Sequence, residues 1–224
     1  MEIIPPKKQA EHKAHHRPHE PAAEPATPTG PAGQAPESRL RNAMSTIGLF
    51  ASALLIAVLL NTFVIQSYQV DGRSMETTLH NGDRLIVNKV PRTIARIDGH
   101  QYVPNRGDII IFNEEGLPGF IGEKQLIKRV IGLPGDHVVV AGGKITIYNS
   151  QHPEGFNPDT TGDYRISQLT GIPYDGVLKG DELFVCGDNR GNSEDSRSFG
   201  PIKTGQVVAK LVLRILPLNN TQSF

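Results

Sequence analysis

Gly135-Asp136-His137-Val138-Val139-Val140-Ala141-Gly142-Gly143-Lys144-Ile145-Thr146-Ile147-Tyr148 is the stretch that decides how this chain folds. Two short runs rich in Val and Ile flank a Gly-Gly pair, and glycine supplies the positive φ that a tight hairpin turn needs. The spacing predicts two antiparallel strands. The opening dipeptide recurs. Gly82-Asp83 precedes Leu85-Ile86-Val87, Gly107-Asp108 precedes Ile109-Ile110-Ile111-Phe112, and Gly180-Asp181 precedes Leu183-Phe184-Val185-Cys186. Asp bonds its own following backbone, so Gly-Asp reads as turn punctuation and not as a sequence repeat. Val207 to Leu216 adds a longer run, and no long amphipathic helix is evident past residue 70. The expected fold is mostly β, with antiparallel sheets in a partly closed, barrel-like arrangement. Residues 150–179 lack periodicity and read as an inserted loop region.

Upstream of these strands, residues 43–70 contain no Asp, Glu, Lys or Arg, and Ile47 to Ile65 is apolar nearly throughout. A helix crosses a hydrocarbon core in about 20 residues, so the run fits one transmembrane helix, assigned to residues 43–66. A buried core helix would show a polar face. A cleaved signal peptide would start nearer residue 1 and end at a small-x-small site, where this chain has Gln66-Ser67-Tyr68-Gln69. Arg39 and Arg41 precede the run, which predicts a single-pass cell-membrane protein with a cytoplasmic amino terminus and residues 67–224 outside the cytoplasm. Arg73 and Arg84 on the far side narrow that charge difference.

Residues 1–42 hold eight of the 17 prolines, and Glu20 to Pro36 is mostly Pro, Ala, Glu, Thr and Gly. Such a segment buries too little apolar surface to offset its ordering entropy and is expected to be a disordered Pro-rich tail. Its histidines, His12, His15, His16 and His19, read as part of a solvated polar tail and not as a metal site.

The whole chain of 224 residues balances 23 basic against 23 acidic side chains, which argues against a nucleic-acid binder. One cysteine excludes an intramolecular disulfide framework and a cysteine-ligated zinc site.

Three polar islands interrupt the strands. The first is Val70-Asp71-Gly72-Arg73-Ser74-Met75-Glu76-Thr77-Thr78-Leu79, directly after the anchor. The second is Lys128-Arg129-Val130-Ile131-Gly132-Leu133-Pro134-Gly135-Asp136. The third runs from Gly187-Asp188-Asn189-Arg190 through Asn192-Ser193-Glu194-Asp195-Ser196-Arg197 to Gly200-Pro201. A serine nucleophile needs a base beside it, and none of His80, His100, His137 or His152 has a persuasive context. Lys128 is flanked by apolar residues. Pressed against apolar surface it would lose hydration of its ammonium and titrate low enough for general-base work. Periodicity alone favours the plainer reading, a strand lysine with a buried stem and a wet head. Ser193, Asp195 and Arg197 alternate. They share one side if the stretch is extended and are ordinary turn residues if it is a loop.

Taken together, these islands resemble the type I signal peptidases, membrane-bound Ser/Lys serine endopeptidases, and in particular the single-anchor branch. The resemblance rests on Ser74-Met75 just after an anchor, on Lys128 to Asp136, and on Gly187-Asp188-Asn189-Arg190 with Asn192-Ser193, Asp195-Ser196-Arg197 and Gly200. It implies that Ser74 is the nucleophile and Lys128 its general base, with the Ser74 amide donating to the oxyanion. It further implies that Ser193 orients the lysine amine, that Asp195 and Arg197 hold the site's shape, that Met75 packs beside the nucleophile on the substrate side, and that Gln125 and Ile127 lie on the strand that binds substrate backbone. The implied reaction removes signal peptides from exported pre-proteins after Ala-x-Ala-like residues. It needs no metal or cofactor, and it is carried out by a monomer at the lipid bilayer. A peptidase dedicated to one exported substrate and an inactive peptide-gripping scaffold are the alternatives. The self-cleaving SOS repressors share the chemistry but not the anchor.

Two positions depart from the family pattern. Gly72 stands where some members have a serine whose hydroxyl completes the oxyanion hole; many single-anchor members also have glycine there, so the second donor is expected to be backbone or water. Thr77 stands where proline is usual, which leaves that turn less rigid. Cys186 replaces an apolar residue and reads as packing.

Overall fold

The computed structural model describes residues 36–117, 121–168 and 171–224. The tail expected to be disordered therefore lies outside the described residues as far as residue 35. Helix α1 runs Pro36–Phe63, so it starts ahead of the expected anchor boundary at residue 43 and ends before residue 66. Its described side chains are exposed throughout, and Asn42–Asn61 is long and apolar enough to cross a membrane. Residues 36–48 belong to one compact unit, and the unit Leu49–Phe224 holds the rest of α1 and every strand.

Strands β1 (Ile65–Gln69), β2 (Arg84–Asn88), β3 (Ile109–Glu115), β4 (Glu123–Gly132), β8 (Glu182–Cys186), β9 (Ile202–Lys203), β10 (Val207–Leu216) and β11 (Gln222–Ser223) form one sheet. Its order is β1-β2-β10-β3-β4-β8-β9, with β11 on β10 and every pairing antiparallel. The fold is thus mostly antiparallel β, as the residue pattern predicts, but the sheet follows an open path and does not close into a barrel. A second sheet of three strands has the order β6 (Lys144–Tyr148), β5 (His137–Ala141), β7 (Tyr174–Val177). The β5–β6 hairpin is the one expected. Ala141 pairs with Lys144, and Gly142 and Gly143 both take positive φ, at 57° and 78°.

The unbroken run Ile109 to Phe112 has a simple cause. Ile109 and Ile111 enter a core with Val70, Met75, Leu79, Leu85 and Leu211, while Ile110 and Phe112 point the other way into a core with Val130, Leu183, Val185 and Val207. A strand buried on both faces has no polar side to alternate with. β8 is buried likewise: Leu183 and Val185 face one core, and Phe184 and Cys186 join Ile131, Val138, Val140, Ile145 and Ile147 in another. Cys186 is therefore packing, and burial pushes its thiol pKa up. The region 150–179 is not loop throughout. It supplies β7 and the short helix α3 (Pro158–Thr161), capped by Asn157. Two further α-helices are α2 (Val90–Ile97) and α4 (Ser196–Phe199), and three single turns of 3-10 helix lie at Arg190–Asn192, Thr204–Gln206 and Leu218–Asn220.

Candidate active site

Ser74 sits in the loop between β1 and β2. Two backbone bonds of Val70 close the neck of that loop: its amide donates to Asp83 O and its carbonyl accepts from the Gly82 amide, both at 2.9 Å. Met75 and Leu79 plug its underside into the core. Met75 is only 1% exposed and does not line the cleft in front of Ser74, so its expected place on the substrate side is corrected to packing beneath the nucleophile.

Lys128 comes from β4. It is 3% exposed, and its Nζ is hydrogen-bonded to Ser74 Oγ at 2.7 Å. Burial strips water from the ammonium and pushes the pKa down from 10.5 to about 8; the negative field of Asp195 opposes this. That opposing field is blunted because Asp195 is itself paired. Arg197 Nε and Nη2 each donate to its carboxylate at 2.7 Å, and the Gly187 amide donates to it at 3.0 Å. The pair does not arise from an extended stretch. Asp195 is the N-cap of α4 and makes a capping box with Ser198, which folds Arg197 back onto it.

Ser193, given the task of orienting the lysine amine, has a buried Oγ with no hydrogen-bond partner among the described residues. The Lys128–Ser74 bond is made without it. Gly187 explains how tightly these groups meet. A Cβ there would stand 2.3 Å from both the Ser193 Oγ and the Ser74 carbonyl oxygen. Only glycine lets the third island come this close to the loop carrying Ser74.

Several residues that hold the site escaped the sequence reading. The Asn189 main-chain amide donates to Ser74 O, and its side-chain amide donates to Arg73 O, each at 3.0 Å. Asp188 takes a two-pronged bond from Arg129, at 2.8 and 2.6 Å, and the Thr78 hydroxyl also donates to it. Arg129 donates as well to Gly107 O at 2.7 Å and lies over the Tyr164 ring at 4.2 Å. Asp159 of α3 pairs with buried Arg190. The Thr77 hydroxyl donates to Arg165 O at 3.2 Å, so the turn lacking proline is tied to the inserted region instead. The signal was present: Arg129 and Asp188 stand inside the quoted islands, but pairing across 59 positions cannot be read from spacing.

A cleft of about 370 Å³ opens in front of Ser74 and Lys128, lined by Tyr68, Val70, Leu85, Ile111, Leu117 and Ile127, with Gln125 and Leu126 on its β4 side. β4 pairs with β3 from Glu123 to Arg129, but meets β8 only from Arg129 onward. Its stretch 123–128 therefore keeps one unpaired edge, among the described residues, beside Lys128. At the other side of Ser74, the Gly72 amide is held by Asn81 Oδ1 at 2.9 Å, whereas no described acceptor takes the Ser74 amide. Two of the four candidate histidines are paired elsewhere: His137 with Asp175, and His152 with Glu154.

The chain has clear relatives among known proteins. The chain is 35% identical to a signal peptidase I of Leptolyngbya laminosa over 84% of its own length and 87% of the relative's. It is 34% identical to a signal peptidase I of Bacillus caldolyticus, covering 74% and 87%. It is 29% identical to a signal peptidase IB of Staphylococcus aureus, covering 75% and 87%. The family model described as signal peptidase, peptidase S26, matches residues 43–216, which take in the anchor, Ser74, Lys128 and the whole third island. The chain belongs to the signal peptidase family, peptidase S26, whose members are serine endopeptidases.

Proposed function

We propose that this chain is a signal peptidase I that cuts exported pre-proteins after small residues, outside the cytoplasm, with Ser74 as nucleophile and Lys128 as general base. The observation that carries the reading is a nearly fully buried amine 2.7 Å from a serine hydroxyl. With a pKa of about 8, roughly a tenth of the lysine is neutral at pH 7, against a few parts in ten thousand at its ordinary value. That difference turns an inert cation into a usable base.

Ser74 Oγ attacks the scissile carbonyl while the neutral amine takes its proton. The Ser74 amide donates to the oxygen that becomes negative. The Lys128 ammonium then gives its proton to the departing amine, leaving an acyl ester on Ser74. Water attacks the ester with its proton passing to Lys128, and the new carboxyl terminus leaves as Ser74 is restored. The substrate lies extended along the unpaired edge of β4 at Gln125 and Ile127, gaining main-chain bonds. Its small side chains enter the cleft between Tyr68, Leu85 and Ile127. α1 spans the bilayer and holds this site near the membrane surface, where signal sequences end, at high effective concentration.

The test is processing of a model pre-protein by the full chain in proteoliposomes. Ser74→Ala and Lys128→Ala should each abolish cleavage while unfolding cooperatively like the parent. Retained cleavage by either variant refutes the assignment.

A further inference from the structure

Outside the cleft, α2 has an unusual surface. Its sequence is Val90-Pro91-Arg92-Thr93-Ile94-Ala95-Arg96-Ile97, and none of these residues is buried. At 100° per residue Val90, Ile94 and Ile97 share one face, and Arg92 and Arg96 share the opposite one. Ile94 is 52% exposed and Ile97 78% exposed. Neither arginine makes an ion pair among the described residues. Arg92 and Arg96 line two cavities, one of which also includes His100 and Thr204. Two bare isoleucines on a short helix have no partner in the described fold, yet they cost solvation in water.

The position of α2 says what covers it. Ile65, just beyond α1, pairs with Asn88, and the Lys89 amide donates to Val64 O at 3.0 Å. Val90, where α2 begins, is therefore stitched beside the point where the apolar anchor ends. Eight helical residues extend about 12 Å, and the headgroup layer on each side of a bilayer is roughly 5–8 Å deep. The start of α2 is thus held at that layer, and its far end at Ile97 stays there when the helix lies close to the membrane plane, the orientation that puts Ile94 and Ile97 into lipid.

We infer that α2 is an interfacial helix that inserts Ile94 and Ile97 into the outer part of a bilayer and draws anionic lipid headgroups to Arg92 and Arg96. The apolar face supplies burial, and the arginine stems run alongside it to bring their guanidinium groups to phosphate level. This gives the catalytic unit a second attachment besides α1 and restricts its rotation about the anchor, which sets the height of the Ser74 cleft above the lipid. The inference rests on α1 spanning the membrane.

The experiment uses the full chain reconstituted in vesicles of phosphatidylcholine with or without phosphatidylglycerol. The native cysteine, Cys186, is fully buried, so a thiol-reactive, polarity-sensitive dye is placed at Ile97→Cys, at Leu54→Cys in α1, or at exposed Lys144→Cys in β6. Spin-labelled lipids serve as quenchers. The expected result is a blue shift and strong quenching at position 97 by a shallow quencher, quenching at 54 by a deep one, and neither effect at 144. The shift at 97 should be larger with phosphatidylglycerol, and Arg92→Gln/Arg96→Gln should reduce it to the phosphatidylcholine level. Quenching at 54 without any at 97 overturns the interfacial helix and leaves the anchor standing. Absence at both positions overturns the anchor and the inference with it. A blue shift at 97 that lipid quenchers do not touch means that protein covers this face, and contradicts the proposal. Equal quenching with and without phosphatidylglycerol removes the headgroup recognition.

Discussion

Asn189 grips the backbone of Ser74: its main-chain amide donates to the Ser74 carbonyl at 3.0 Å, and its side chain donates to the carbonyl just before it at 3.0 Å. The third island therefore fixes the two peptide groups that aim the serine hydroxyl at Lys128. Asn189 touches no reacting atom in this arrangement, so it acts by positioning. Asn189→Ala should lower kcat by about 10- to 100-fold, since small displacements of a reacting group are costly. KM should change little, and the two lost side-chain hydrogen bonds, one donated to Arg73 O and one accepted from the Ser167 hydroxyl, should cost about 2 kcal/mol of stability. Steady-state cleavage alongside thermal unfolding checks this. A purely structural role would instead give a large stability loss with kcat intact in the folded fraction.

The pH dependence follows from the depressed amine. Lys128 is active when neutral, so kcat/KM should rise with pH along an acid limb with an apparent pKa near 8 and level off above it. A limb near the ordinary lysine value would mean that the amine is hydrated when the free enzyme works.

The same shift marks stability. The folded-state pKa of Lys128, about 8, lies below its ordinary value of 10.5. Between these values the unfolded chain holds more protons than the folded one, so this residue makes stability rise with pH across that window, by about 3 kcal/mol at most. Below pH 8 the buried ammonium keeps its full penalty. Lys128→Met carries no such penalty and should be the more stable protein at pH 7. Its advantage should shrink as pH climbs toward 10. Denaturant midpoints of the two proteins across that range measure the gap, and a constant gap would contradict the burial argument.

How much of this was legible depends on which faces of each element are buried. Every Val- and Ile-rich run opened by Gly-Asp became a strand: β3 and β8 are buried on both faces and leave a continuous apolar signature, while β2 and β5 are buried at alternate residues. The first half of β4 gave no such signal: Glu123, Lys124 and Gln125 are exposed on an edge without a second neighbour. β1 was hidden because Ile65 continues the apolar run of α1, so composition could not show where helix becomes strand. Ser193, Asp195 and Arg197 were visible as a group, but their spacing fitted an extended stretch and a loop alike and did not show the pairing of Asp195 with Arg197. The Asp195 cap turns the chain into α4 instead. Arg129 with Asp188, and Asp159 with Arg190, bring together distant segments, and only the folded chain could pair them.

The most direct test of the Ser74–Lys128 account is the site and rate of acylation. The full chain in vesicles is treated at pH 8 with an acylating peptide-mimetic probe, and the adduct is located by mass spectrometry of the digested protein. The account predicts one adduct, on Ser74, that forms in the parent protein and is lost in folded Lys128→Ala. An adduct on another residue, or labelling of Ser74 at the parent rate without Lys128, would contradict it.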